Sequence, residues 1–166
     1  MSRSAQVGLE SPPASCVVAR ASAADVPGVV VAVQELLLEL GSTPPPTPQL
    51  EATVRELIDD DRAGAVFVAR ADDAIVGVLA ASWQLAIHVP GRYATIQDLW
   101  VHSRWRSRSI GAELIAALVT LVRERGMARI EVGLPRESFD AIEATASFYQ
   151  RNDFAPLGPR MRRLLS

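Results

Sequence analysis

The chain contains no lysine, and all 17 of its basic residues are arginine. A Schiff-base lysine and a Walker-type phosphate loop, which ends in a lysine, are therefore both excluded. Cys16 is the only cysteine, so no disulfide can form within the chain and nothing indicates an oxidising compartment. We expect a cytoplasmic protein.

The sequence also lacks a surplus of positive charge and a long apolar run. Its formal net charge is −2, so it has no basic field for nucleic acid, and no nucleic-acid partner is expected. The longest apolar region, residues 110–122, is interrupted by Glu113 and Thr120 and is shorter than the roughly 20 residues of a membrane span. No cluster of histidine, cysteine and carboxylate has the spacing of metal ligands, so we expect neither a membrane segment nor a metal.

What the sequence does contain is enough apolar residues, 49% of 166, for one globular core. Residues 1–15 are rich in serine, proline and alanine without the apolar stretch of a signal peptide, which predicts a disordered leader. Because no repeat or linker follows, residues 16–166 are expected to form a single domain.

Apolar residues that recur at the spacing of a helix or of a strand predict ten secondary-structure elements, four helices and six strands. Helices are expected from Ser22 to Leu40, ended by Gly41, and over 49–60, 109–125 and 140–152, the last capped by Asp140 and Glu143. The prolines of residues 42–48 indicate a stiff loop. Strands are expected at 16–20, 65–70, 75–83, 93–101, 128–134 and 159–165. This order predicts an α/β or α+β fold with a mixed sheet.

The segment VHSRWRSRSIGAEL, residues 101–114, has the composition of an anion site. A strand ends at Val101, an arginine-rich loop follows, and a helix begins near Ser109, where free N–H groups and the positive end of the helix dipole converge. Guanidinium groups add charge that suits phosphate oxygens. The alternative is a solvated arginine-rich surface loop. A dinucleotide fingerprint does not fit, because Gly111 is the only glycine present.

These residues resemble a motif of the GNAT superfamily of N-acetyltransferases: Arg or Gln, two free positions, Gly, one free position, then Gly or Ala. Arg106, Ser109 and Gly111 occupy its fixed positions. The stretches ARASAADVPG and SFYQRNDF resemble the opening strand and helix and the late tyrosine signature of the same superfamily. The resemblance covers nearly the whole chain from Cys16. It implies a mixed, mostly antiparallel central sheet flanked by about four helices.

Three positions depart from the superfamily pattern. Ser109 replaces the first motif glycine, Asp153 replaces the glycine before Phe154, and Ile142 stands where many members have asparagine. Serine keeps the side chain small but disfavours a positive φ angle. We hypothesise that the Ser109 hydroxyl donates to phosphate. Unchanged acetyl-CoA affinity in Ser109→Ala together with improved affinity in Ser109→Gly would contradict this.

The resemblance implies acetyl-CoA as co-substrate, with its pantetheine arm along the strand before the loop and its pyrophosphate on the loop. The cofactor-binding residues expected on this basis are Leu99, Trp100, Val101, Arg104, Arg106, Ser107, Arg108, Ser109, Ile110, Gly111 and Ala112. A backbone N–H of this strand would polarise the thioester carbonyl.

The resemblance also implies two catalytic residues. Tyr149 matches the late tyrosine that protonates the CoA sulfur, and its ordinary pKa near ~10 keeps it protonated at neutral pH. Asp98 is expected to take the proton of the amine; because neighbouring strand residues face opposite sides, only one of Gln97 and Asp98 can point into the cleft. The alternatives are a core aromatic for Tyr149 and a carboxylate that satisfies a neighbouring group for Asp98.

Trp83, His88 and Tyr93 are expected to contribute to an acceptor site. The alternatives are a core position for Trp83 and no functional role for His88 and His102. The predicted acceptor is a small-molecule or peptide amine. The segments expected to line its pocket, which are the first two helices with the proline loop and residues 83–92, contain no acidic cluster. A homodimer is one open alternative. The leading function is an acetyl-CoA-dependent N-acetyltransferase working through a ternary complex. The alternatives are an acyl-CoA-binding sensor or scaffold without turnover and an α/β protein without CoA affinity.

Overall fold

A computed structural model of the chain describes residues 15–165. Its five strands form one sheet in the order in which they occur along the chain. They are β1 (Cys16–Arg20), β2 (Gly64–Ala71), β3 (Ala74–Ala86), β4 (Val89–Val101) and β5 (Ile130–Val132). Every neighbouring pair is antiparallel except β4 with β5, which are parallel. The expected leader, residues 1–15, lies outside the described residues except for Ser15.

Four α-helices accompany the sheet: α1 (Val26–Glu39), α2 (Thr47–Asp59), α3 (Ile110–Glu124) and α4 (Ile142–Arg151). The mixed, mostly antiparallel sheet with four helices confirms the predicted fold class. Helix α3 also provides the crossover that parallel pairing of β4 and β5 requires.

The two faces of the sheet carry separate apolar cores. Helices α1 and α2 cover one face, where valines such as Val29 and Val78 are buried. Helix α3 covers the other face with Ile110, Leu114 and Leu118, which recur at the helical spacing read from the sequence. Complete burial of one such leucine stabilises the fold by about 1.5–3 kcal/mol. The cofactor segment predicted from the sequence thus connects a central strand to a firmly packed helix.

The second predicted helix begins earlier than expected. Its first turn includes Thr47 and Pro48, which the sequence analysis assigned to the proline loop. Proline is tolerated at this place because the first helical N–H groups have no partner within the helix. The stiff connection between α1 and α2 is correspondingly shorter.

The hairpin of β3 and β4 is longer than the sequence pattern predicts. The expected strands 75–83 and 93–101 continue to Ala86 and start at Val89, and only residues 87 and 88 form the turn. This end of the hairpin extends past the last paired residue of β2, Gly64, which pairs with Ser82. Leu85 and Ile87 are therefore exposed, and the core periodicity that identifies strands is absent there.

Two further predictions were wrong. Residues 159–165 form no strand, because Pro159 has no N–H to donate, Gly158 turns the chain at φ 129°, and β5 offers a pairing edge of only three residues. Helix α4 is not capped by Asp140 and Glu143. Its N-cap is Ala141, and the backbone N–H of Ile142 donates to the carbonyl of Phe139 instead.

No helix within residues 15–165 is long and apolar enough to cross a membrane.

Candidate functional site

The sheet opens between β4 and β5. Strand β5 pairs only with Ala94, Thr95 and Ile96. Gln97 then forms a bulge, since Ile96 pairs with Ala81 and Asp98 with Ala80. Beyond this bulge, one edge of β4 has no strand partner in the described part of the chain. The bulge at Gln97 marks the place where β4 and β5 separate.

Along a strand, the N–H and C=O groups of successive residues point to opposite edges, which shows which peptide groups of β4 face this open edge. The N–H of His102 donates to the carbonyl of Val76 at 2.9 Å, and Trp100 pairs with Val78, so His102 and Trp100 face β3. Because successive residues alternate, the N–H and C=O groups of Leu99 and Val101 point to the open edge. Arg106 Nε already donates to the Val101 carbonyl, so a ligand arm lying in the opening would find the N–H groups of Leu99 and Val101 and the carbonyl of Leu99 free to pair.

The loop after β4 exposes a series of unpaired N–H groups at the start of α3. Among the described residues, the backbone N–H groups of 107–112 make no hydrogen bond. Ser107 and Ser109 both adopt left-handed conformations, with φ angles of 61° and 63°. Such turns gather successive N–H groups into a concave nest for anions, and the positive end of the α3 dipole adds to it. Ser109 thus has the positive φ for which the superfamily motif uses glycine.

The three arginines of the loop have different roles. Arg106 is turned away from the nest: its Nε donates to the carbonyl of Val101 at 3.0 Å and its Nη2 to the Glu39 carboxylate at 2.6 and 2.8 Å. The guanidinium of Arg108 lies over the Trp105 ring, 5.0 Å from its centroid. Arg104 is exposed, and its side chain makes no hydrogen bond or ion pair in the described part of the chain. Only Arg104 and Arg108 therefore have a guanidinium that could reach a phosphate without breaking an ion pair.

Gly111 serves the packing of two helices. A Cβ atom at this position would lie 2.9 Å from Cζ of Phe148, which belongs to α4. The absence of a side chain therefore lets α4 approach the first turn of α3. Its neighbour Ile110 is buried in the core, and Ala112 is half-buried. Residues 110–112 can therefore contact a ligand through their backbone N–H groups and not through side chains.

Tyr149 is held on α4 close to the opening. It is 8% exposed and packs edge-to-face against Phe148 and Phe154, with ring centroids 5.2 and 5.4 Å apart. Asp153 takes a positive φ of 67°, so the chain turns back and the N–H of Phe154 donates to the carbonyl of Tyr149. Asp153 thus has the conformation of the glycine that it replaces.

The charge of Asp98 acts on Tyr149, although 51 positions separate the two residues along the chain. Burial raises the pKa of Tyr149 to about 12, and the negative charge of Asp98 contributes to this rise. Burial also raises the pKa of the Asp98 carboxyl above its ordinary value. Asp98 pairs with Ala80, a residue of the core under α1 and α2, whereas Tyr149 belongs to the core under α3. The two side chains therefore approach the opening from opposite faces of the sheet.

The three residues expected at an acceptor site are not brought together. Trp83 is buried, its Nε1 donates to the carbonyl of Asp61, and Arg125 at the end of α3 covers its ring. His88 is exposed in the hairpin turn, and Tyr93 is half-buried opposite Gln84. Trp83 therefore has a structural position, while Tyr93 lies on β4 five positions before Asp98.

A polar cluster next to Asp98 was not found by the sequence analysis. The hydroxyl oxygen of Ser82 accepts from Nε2 of Gln84 at 2.8 Å and from Nε2 of Gln97 at 2.7 Å. Ser82 and Gln84 follow Ala80 at two-residue steps, so they share the Asp98 face of the sheet. A single sequence does not reveal the bulge that brings Gln97 to this cluster.

Trp100 and His102 face a different environment from the other cofactor-segment residues. Trp100 is buried against the α1 face and its Nε1 has no hydrogen-bond partner in the described chain, while the His102 ring lies edge-to-face against it at 5.8 Å. Both residues line a cleft of about 400 Å³ beside α1 that includes neither Asp98 nor Tyr149. No group of three or more potential metal ligands occurs within residues 15–165.

Comparison with known families identifies the chain. A model of the acetyltransferase (GNAT) family matches residues 32–154, about three quarters of the sequence. The chain belongs to this acetyltransferase family. The match spans β2 to β5 and α2 to α4 entirely, and so includes the GNAT opening between β4 and β5, the loop before α3, and Tyr149. A comparison with curated proteins gave no significant match.

Solved structures have the same GNAT fold. Aminoglycoside N-acetyltransferase AAC(6′)-Iy, solved with CoA, is 16% identical with a TM-score of 0.77, over 95% of this chain and 99% of that one. A transcriptional regulator from Bacillus halodurans C-125 is 21% identical with a TM-score of 0.76, over 91% and 100%. An aminoglycoside acetyltransferase from an uncultured soil metagenomic sample is 21% identical with a TM-score of 0.71, over 91% and 97%. At these identities the likeness establishes the fold.

Proposed function

We propose that the protein is an N-acetyltransferase that transfers the acetyl group of acetyl-CoA to an amine by direct attack in a ternary complex. The observation that carries this proposal is the opening beside β4, which has an anion nest at one end and Asp98 and Tyr149 on its two sides. An acyl-CoA needs both a phosphate site and a path for its pantetheine arm, and the free backbone groups fit both needs.

The residues that would hold acetyl-CoA follow from this geometry. The N–H groups of residues 107–112 would bind the pyrophosphate, with Arg104 and Arg108 available for further phosphate oxygens. The N–H and carbonyl of Leu99 and the N–H of Val101 would pair with the pantetheine arm as a neighbouring strand would. Bound acetyl-CoA supplies an acetyl group activated as a thioester.

The two titratable residues divide the proton transfers. Asp98 takes a proton from the acceptor amine, directly or through water, and its raised pKa makes the carboxylate a stronger base. Tyr149 gives its phenolic proton to the sulfur as the bond between carbonyl carbon and sulfur breaks and the new bond to nitrogen forms. A pKa of about 12 keeps the phenol protonated at neutral pH, so it can act as the acid. The N–H of Leu99, which faces the opening, would polarise the thioester carbonyl.

We propose that the acceptor binds on the face of the β3–β4 hairpin that carries Asp98. Ser82, Gln84 and Gln97 present neutral amide and hydroxyl groups there, and Tyr93 lies opposite Gln84. This chemistry suits an amine that carries neutral hydrogen-bonding groups, such as a peptide or an amino sugar. The two aminoglycoside acetyltransferases of this fold make aminoglycosides a sensible part of a test panel.

The test has two steps. Calorimetry with acetyl-CoA measures binding, and release of free thiol over a panel of peptide amines and aminoglycosides measures transfer. We expect binding and amine-dependent thiol release. Binding without thiol release on any amine would favour the alternative of a sensor or scaffold, and no binding would contradict the proposal.

A further inference from the structure

The motif arginine connects two elements that meet at the cofactor loop. Arg106 contacts the Glu39 carboxylate with Nη2, at 2.6 and 2.8 Å, and the Val101 carbonyl with Nε, at 3.0 Å. Val101 is the last residue of β4, and Glu39 is the last residue of α1. The Arg106 side chain thus joins the end of the cofactor strand to the end of a helix whose last residue, Glu39, lies 67 positions before Arg106.

The end of α1 is well fixed, so it can serve as an anchor. Gly41 has a φ angle of 71°, and the N–H groups of Gly41 and Ser42 donate to the carbonyls of Leu38 and Leu37 at 3.0 and 2.8 Å. This is the hydrogen-bonding pattern of a closed helix C-terminus. The prolines that follow stiffen the connection to α2.

The positive charge of Arg106 offsets the unfavourable position of the Glu39 carboxylate at the end of α1. The C-terminal end of a helix is negative, so a carboxylate there is unfavourable, and the last turn of α1 has no basic residue of its own. Arg106 supplies the missing positive charge from the cofactor loop. Both side chains remain about half exposed, so the ion pair contributes little to overall stability, and its effect is local.

We infer that Glu39 is a positioning residue for cofactor binding: it holds Arg106 away from the phosphates, so that the loop presents its backbone N–H groups instead. This inference rests on the proposed function, because it concerns the binding of acetyl-CoA. It also links the connection between α1 and α2 to the cofactor loop. The residue acts through Arg106 and touches neither substrate.

The sign of one substitution separates positioning from simple charge. Glu39→Gln removes a negative charge beside an anion site, so electrostatics alone would tighten acetyl-CoA binding. If Glu39 positions the loop, the same change loosens the nest and weakens binding. Binding must then order the loosened loop again. If this costs as much as one well-formed exposed ion pair, the Kd for acetyl-CoA rises about fivefold.

The matched control is Glu35→Gln, one turn earlier on α1. It makes the same change of charge, and Glu35 has no ion pair within the described residues. Calorimetry should give about a fivefold higher Kd for Glu39→Gln and less than a twofold change for Glu35→Gln. The double variant Glu39→Gln/Arg106→Gln should bind no more weakly than Arg106→Gln alone, because the pair acts as a unit.

Amide hydrogen exchange of the ligand-free protein provides a second readout that does not depend on acetyl-CoA. Exchange at Arg104, Trp105 and Arg106, whose N–H groups are hydrogen-bonded within the loop, should accelerate in Glu39→Gln and stay unchanged in Glu35→Gln. If the unaltered protein binds no acetyl-CoA, the proposed function fails, while hydrogen exchange still tests the contact. If the unaltered protein binds and Glu39→Gln has an equal or lower Kd with unchanged exchange, the inference is overturned and the proposed function stands.

Discussion

Replacement of Ser109 by glycine should stabilise the protein. Ser109 has a φ of 63°, a left-handed conformation that costs a residue with a side chain about 1–2 kcal/mol. Glycine avoids this cost but loses about 0.5–1 kcal/mol through its greater freedom in the unfolded chain. The net gain is therefore about 0.5–1 kcal/mol, or a Tm higher by about 1–4 °C for a domain of this size.

The assay is thermal unfolding followed by circular dichroism, with Ser103→Gly as the matched control. Ser103 lies in the same loop but opens a short 3₁₀ turn without a positive φ. Glycine at Ser103 brings only the entropic loss, so its Tm should fall. If Ser109→Gly lowers the Tm as Ser103→Gly does, the argument from backbone strain is refuted.

Affinity for acetyl-CoA separates the backbone of Ser109 from its hydroxyl. Ser109→Ala keeps the strained backbone and removes the hydroxyl, which makes no capping hydrogen bond within the helix. If the hydroxyl donates to phosphate, Ser109→Ala should weaken binding by about tenfold, the value of one hydrogen bond to a charged group. Unchanged acetyl-CoA binding in Ser109→Ala, with tighter binding in Ser109→Gly, would contradict a hydrogen bond from the hydroxyl to phosphate. Ser109 would then contribute only through its backbone N–H.

Three other substitutions test the remaining parts of the site. Tyr149→Phe should lower turnover by about 10²-fold or more while the acetyl-CoA Kd stays the same, because only the acid is lost; full activity in a thiol-release assay would remove this role. Asp98→Asn should abolish most turnover and yet raise the Tm. Burial raises the pKa of Asp98, so the folded protein binds the proton of this carboxyl more tightly than the unfolded chain does. The stability that this proton contributes is complete below the ordinary aspartate pKa and is lost as the pH rises through the raised pKa. The Tm gain of Asp98→Asn should therefore grow towards neutral pH, and a gain that does not change with pH would contradict the raised pKa. Gly111→Ala should destabilise the fold by about 1–3 kcal/mol in urea unfolding, because its Cβ would press on the Phe148 ring; a neutral effect would contradict the close packing.

The fold was largely predictable because its elements follow simple periodicities. Helix α3 has an apolar residue at every fourth position from Ile110 to Val122, and all of these residues are buried. The end of the β3–β4 hairpin was not predictable in this way. Residues such as Leu85 and Ile87 have no core to face, so their pattern there gives no signal of strand structure.

The backbone geometry of the candidate site was predictable from the order of strand, loop and helix. A strand followed by a helix start indicated an anion site, and the structure places unpaired N–H groups there. The role of the loop arginines was not predictable. Arg106 contacts Glu39, which lies 67 positions earlier in the chain, and no local sequence pattern indicates such a contact. The bulge at Gln97 was missed for the same reason, since it depends on the register between two strands.

The central claim is that acetyl-CoA binds along the open edge of β4 and at the start of α3. Amide hydrogen exchange with and without acetyl-CoA tests it most directly. Exchange should slow at Leu99, Val101 and residues 107–112, whose N–H groups are unpaired in the ligand-free fold. Unchanged exchange at these amides, or protection confined to the cleft beside α1 that Trp100 and His102 line, would contradict the account.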